Sequence, residues 1–123
     1  MQGKRLVFKG IGKVEWESFD IPEVLQEDEI LVKAQHSLIS PGTELAIFSG
    51  SHIGFSLPQP PFPLIPSNPG YALVGEVVRT GSGVRVERAT DRIQVGQRVL
   101  VEAPHGTSAV VHARKNPPVI LTD

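Results

Sequence analysis

Along residues 13–19, KVEWESF, polar and apolar positions alternate strictly, with Val14, Trp16 and Ser18 on one face and Glu15 and Glu17 on the other. Successive side chains of an extended strand point to opposite sides, so this period of two predicts a half-buried β-strand. Residues 30–39, ILVKAQHSLI, repeat the pattern: Ile30, Val32, Ala34, His36 and Leu38 share a face, which places His36 among core residues. The run 70–81, GYALVGEVVRTG, is apolar on both faces, as a central strand is, and Gly75 inside it predicts a bulge or a close backbone approach. Shorter extended runs stand at 4–9, 98–103, 108–113 and 118–122, and residues 82–97 read as a hairpin connection with a polar excursion at its tip.

One segment breaks the alternation. In SPGTELAIFSG, residues 40–50, Ser40 suits an N-cap, Pro41 the first helical position and Gly50 the residue after the last turn. Leu45 and Phe48 then fall three apart on one side of a short helix. Residues 51–69 hold six of the eleven prolines. Proline fixes φ and removes a donor, so this segment behaves as a stiff strap outside the sheet. Seven short strands and one small helix predict a mainly β fold, a partly open β-barrel.

Composition narrows the function classes. A chain of 123 residues fits one domain, and a net charge of −1 gives no electrostatic case for a nucleic acid or an anionic membrane as partner. There is no cysteine, which excludes disulfides, thiolate metal sites and a cysteine nucleophile and fits a reducing compartment. QGKRLVFKG, directly after Met1, is neither a signal peptide nor a membrane span, so a soluble, cytoplasmic protein is expected.

Candidate chemistry is sparse. Gly81-Ser82-Gly83 lacks the third glycine of a phosphate-binding loop, since Val86 stands there, and no helical pattern follows. The histidines, His36, His52, His105 and His112, form no helical pair with metal-ligand spacing. His105, in APHGTS, reads as an exposed turn residue. Tyr71 is the only tyrosine and starts a central strand, where packing explains it as well as acid catalysis does. Ser40 and Thr43 are explained by capping, and Glu44 by the dipole of the first helical turn. These residues alone name no reaction.

The order of segments is more informative. LVFKGIGKVEWESFDIP, EILVKAQHSLIS, PGTELAIFSG, PFPLIPSNPGYALVGEVVRTGSGV, VGQRVLV and AVVHARKNPPVILTD follow one another as in a known family. Through nearly all its residues the chain resembles the N-terminal GroES-like domain of medium-chain dehydrogenases/reductases, the alcohol dehydrogenase and quinone reductase group. The resemblance implies a single GroES-like domain over residues 1–123, on the substrate side of an NAD(P)-dependent oxidoreductase acting on a small carbonyl or alcohol.

Zinc-dependent members of that family carry one ligand in a Cys-Gly-Thr-Asp-like motif and another in a Gly-His-Glu motif after the proline strap. Here the first region reads Ser40-Pro41-Gly42-Thr43-Glu44, one residue longer, and the second reads Ser67-Asn68-Pro69-Gly70, with Asn68 in the histidine's place. The resemblance therefore implies no zinc. By position it makes Thr43, Glu44, Asn68 and Tyr71 candidate catalytic residues, and Ser40 and His105 candidate cofactor neighbours. NAD or NADP would need a Rossmann domain, which the sequence does not contain, so the chain by itself is expected to be inert. A stand-alone binding or assembly module, self-associating through the surface a Rossmann domain would otherwise cover, is the alternative.

Overall fold

The computed structural model describes residues 1–59, 64–82 and 93–121. The middle of the strap and the excursion expected within 82–97 lie outside the described residues. Among the described residues seven strands and one α-helix follow in order: β1 (Gln2–Gly10), β2 (Lys13–Asp20), β3 (Glu29–Ser37), α1 (Pro41–Ser49), β4 (Leu73–Thr80), β5 (Arg98–Val101), β6 (Ser108–His112) and β7 (Val119–Leu121). A 3₁₀ turn, Ile53–Ser56, follows α1.

The strands form two antiparallel sheets, a β1-β2 ribbon and a five-stranded sheet in the order β6-β3-β4-β5-β7. Neither closes on itself. Two isolated bridges, Arg5 with Gly106 and Phe8 with Ser67, fasten the ribbon to the rest. The mainly β, partly open architecture expected from the alternation is the one found.

Inside the five-stranded sheet, β3 and β4 are the central pair. Ile30, Val32, Leu73, Val77 and Val99 are fully buried there, and Ala109 and Val111 of β6 pack in the same cluster with Ile93, Val101, Ala103 and Ala113. Each fully buried valine, leucine or isoleucine contributes about 1.5–3 kcal/mol through removal from water. A second, smaller cluster joins Phe8 of β1, Ile47 of α1 and Leu64 of the strap, with Phe48 tilted 55° against Phe8 at 5.5 Å between ring centres. It is this second cluster that seats the helix against the ribbon.

Gly75 meets both expectations made of it. A Cβ there would lie 2.3 Å from the Lys33 carbonyl oxygen, and a bulge stands beside it, where β3 passes from Ala34 to His36 while β4 moves only from Gly75 to Val74. The extra residue, Gln35, shifts the alternation. His36 consequently leaves the core face and is exposed, contrary to the expectation from strict alternation.

Two other faces are reversed. In β2 the alternation is real, but Val14 and Trp16 look outward, Trp16 with 58% of its surface open. The opposite face is the packed one: Phe19 lies over Gly3 and beneath the Arg5 guanidinium, 5.2 Å from the ring centre. In α1 the buried positions are Glu44 and Ile47, one residue before the expected Leu45 and Phe48. Leu45 is exposed and Phe48 half-buried.

Candidate functional site

The start of α1 organises the site. Ser40 is the N-cap in extended conformation and Pro41 follows at the first helical position, where its missing N–H costs nothing. The Ser40 side chain makes no cap hydrogen bond, contrary to expectation. The bonding runs the other way: the Ser40 backbone N–H donates to Oε2 of Glu44 at 2.5 Å. The carboxylate reaches back to the N-cap N–H as the acid of a capping box does, but from one position later, since Thr43 stands at the third helical position. Glu44 is thereby drawn inward and buried, so the helix dipole alone does not account for it.

What holds the other oxygen of Glu44 is His105. Its Nε2 lies 2.5 Å from Glu44 Oε1, and its Nδ1 lies 2.6 Å from Ser37 Oγ at the end of β3. His105 is 5% exposed, which corrects the expectation of an exposed turn residue. Its main chain explains why: the N–H donates to the Pro69 carbonyl at 2.9 Å, and its carbonyl accepts from Leu6 N–H at 2.9 Å. The β5–β6 loop is thus threaded between the ribbon and the end of the strap. Gly70, with φ of +102°, permits this, because a Cβ there would stand 2.6 Å from the His105 nitrogen. With Nε2–H donating to the carboxylate, a neutral His105 ring accepts the Ser37 hydroxyl proton at Nδ1.

Five of the six expected residues meet in one place. Ser40, Thr43, Glu44, Asn68 and Tyr71 line a cavity of about 390 Å³, floored by Phe8 and Ile47. Thr43 is exposed at its rim, and Tyr71 keeps 54% of its surface open. His105 stands behind Glu44 and faces a second groove of about 400 Å³, where Ser37, Trp16, Ile39, Leu45 and Phe48 also lie. Glu44 borders both spaces.

Asn68 uses its amide nitrogen twice, donating to the Leu6 carbonyl at 2.8 Å and to Glu17 Oε1 at 2.9 Å. Both protons are therefore occupied, and an unmoved Asn68 has only its side-chain carbonyl left to offer a ligand. Of the candidate catalytic residues this leaves the hydroxyls of Thr43 and Tyr71 as proton donors in the cavity. Arg5 Nε also donates to Glu17 Oε1, at 2.8 Å. The Asn68 amide foremost, and the Arg5 guanidinium with it, hold the Glu17 carboxyl below its ordinary pKa.

The donor set does not fit a catalytic zinc. Such a site takes three protein ligands drawn from thiolate, imidazole and carboxylate. The cavity offers one carboxylate, that of Glu44, engaged on both oxygens, beside hydroxyls and an amide. Among the described residues no three His, Cys, Asp or Glu side chains are grouped so as to hold a metal ion.

Sequence reasoning missed Ser37, a strand-end serine with no motif around it, and Glu17, whose tie to Asn68 spans 51 positions. No helix among the described residues is long and apolar enough to cross a membrane.

No family model and no curated protein matches the chain. Solved structures do. The human VAT-1 homolog-like protein aligns over 100% of the chain and 36% of its own, with a TM-score of 0.66 at 18% identity. A putative zinc-binding dehydrogenase from Sinorhizobium meliloti, bound to NADP, aligns over 99% and 39%, with a TM-score of 0.65 at 20% identity. The mitochondrial 2-enoyl thioester reductase Etr1p/Etr2p heterodimer from Candida tropicalis aligns over 98% and 34%, with a TM-score of 0.67 at 20% identity. The chain has the fold of one part of each of these structures and spans about a third of their length.

Proposed function

We propose that this chain is the substrate-side domain of a zinc-independent NAD(P)-dependent oxidoreductase. The observation that carries the reading is the cavity in which Ser40, Thr43, Glu44, Asn68 and Tyr71 come together, on a fold shared with NADP-binding dehydrogenases and reductases. In this reading a small carbonyl compound or alcohol lies against Phe8 and Ile47. Its oxygen takes hydrogen bonds from Tyr71 and Thr43, whose neutral hydroxyls stabilise the charge that develops there when no metal is present.

Glu44 acts as a fixed negative wall of the same cavity, immobilised by Ser40 N–H and His105. NAD(P) supplies the hydride when bound, and a Rossmann domain outside this sequence holds it. That domain would cover the apolar side on which Trp16, Ile39 and Leu45 are exposed. Uncovered, the same surface favours self-association. The reading places the protein in the cytoplasm.

Two assays test the proposal together. The 123-residue chain mixed with NADPH or NADH and a panel of carbonyl compounds should show no turnover. The product of the gene's whole reading frame should oxidise the nucleotide with at least one of them, at a rate unchanged by chelation. Turnover by the chain alone, or loss of the activity on chelation with rescue by zinc, would contradict it.

A further inference from the structure

Ser37, His105 and Glu44 form a continuous hydrogen-bonded array, of which the proposed reduction uses only the Glu44 carboxylate as a fixed wall and His105 as its anchor, leaving Ser37 without a role. From the array's outer end the distances are 2.6 Å from Ser37 Oγ to His105 Nδ1 and 2.5 Å from His105 Nε2 to Glu44 Oε1. The far oxygen of Glu44 is fixed by Ser40 N–H at 2.5 Å. Each member has the setting that nucleophilic catalysis requires. The base and the acid are buried, their side chains only 7% and 11% open, while the hydroxyl residue is exposed.

A serine hydroxyl is a weak nucleophile until a base takes its proton, and the base needs a third group to fix its ring and stabilise its cation. Here the imidazole bonds the hydroxyl through Nδ1 and the carboxylate through Nε2, the two nitrogens exchanged relative to the familiar triad of serine proteases. The roles depend on distance and order, and both are met. Beside the serine runs the 400 Å³ groove lined by the apolar side chains of Trp16, Ile39, Leu45 and Phe48. It has the size and character for a short to medium acyl chain.

We infer that Ser37 is an acyl-accepting nucleophile, with His105 as its base and Glu44 as the orienting acid, acting on carboxylic esters with an apolar acyl group. Ser37 Oγ adds to the ester carbonyl carbon as its proton passes to His105 Nδ1. The same nitrogen returns that proton to the departing alkoxide oxygen when the ester C–O bond breaks, leaving the acyl group on Oγ. A water molecule, deprotonated at Nδ1, then attacks the acyl carbon, and the proton goes back to Ser37 as the Oγ–acyl bond opens. Ester and water become acid and alcohol, with no oxidant and no cofactor.

The test uses a fluorophosphonate probe and p-nitrophenyl butyrate on the 123-residue chain, in the absence of nucleotide. The probe is expected on the peptide carrying Ser37, and Ser37→Ala, a change at an exposed position, should abolish both labelling and hydrolysis while the chain still folds and melts cooperatively. Glu44→Gln should lower the labelling rate by about 10²-fold or more, because an amide no longer sets the imidazole's tautomer and cation. A folded wild-type chain that takes no label, a label on another residue, or equal labelling of Ser37→Ala would each overturn the inference. The outcome is independent of NAD(P) chemistry, so it stands or falls apart from the proposed reduction.

Discussion

The Asn68 amide donates to the Glu17 carboxylate at 2.9 Å, tying the turn after the strap to the outer strand of the ribbon. Because Asn68, and after it Arg5, hold the Glu17 carboxyl below its ordinary value, the unfolded chain binds that proton more readily than the native one. The stabilisation is therefore complete above the ordinary glutamate range, about 4.3, and is lost as pH falls through that range towards the lower native value. Asn68→Ala and Glu17→Gln should each flatten the acid limb of the stability curve while leaving its slope near neutrality unchanged. Urea unfolding at a series of pH values checks this, and the change should be small because the pair is solvent-exposed.

The Glu44–His105 pair is far better shielded, with both side chains nearly enclosed. Removing His105 leaves the buried Glu44 carboxylate one hydrogen bond short, and leaving a buried polar group unsatisfied costs about 1–3 kcal/mol. His105→Ala should lose stability on that scale. Ser37→Ala, whose partner keeps its bond to Glu44, should lose less than half as much. Thermal melts of the two variants side by side give the comparison.

Gly75 lies where β3 and β4 approach too closely for a side chain. Gly75→Ala places a methyl against the Lys33 carbonyl in the most buried strand pair, an overpacking that costs about 1–3 kcal/mol. Gly12→Ala makes a useful contrast, because its cost comes from a positive φ in an open turn and from no contact. Amide exchange should show the Gly75 variant loosening β3 and β4 selectively, whereas Gly12→Ala should leave both strands protected.

Metal analysis after purification without added zinc should find far less than one equivalent per chain. The cavity's single carboxylate is engaged on both oxygens, and its other polar groups are hydroxyls and an amide. Stoichiometric zinc displaced by Glu44→Gln would show that these residues can serve as ligands after all.

Strand positions were legible in the sequence because alternation is a local property, and so was the helix, bounded by Pro41 and Gly50. Which face of each element is buried was less legible, since it depends on neighbours distant in sequence. Trp16 borders an open groove between the ribbon and the helix rather than a closed core, and His36 turns out because Gln35 is an extra residue opposite Gly75 and Val74. The segments carrying Ser40, Thr43, Glu44, Asn68 and Tyr71 could be chosen from their order along the chain, and they do converge. The engagement of Glu44 with His105, 61 positions away, and of His105 with Ser37, 68 away, arises only when the loop is threaded beneath Gly70. No local pattern encodes such a contact.

The central claim is that the cavity around Thr43 and Tyr71 receives a small carbonyl compound. An amide chemical-shift titration of the ¹⁵N-labelled 123-residue chain with cyclohexanone addresses it without any cofactor. Saturable shifts concentrated at residues 40–47 and 67–71, and lost from the Tyr71→Phe/Thr43→Val double variant, are expected. Shifts centred on the five-stranded sheet, or undiminished in that variant, would contradict the account.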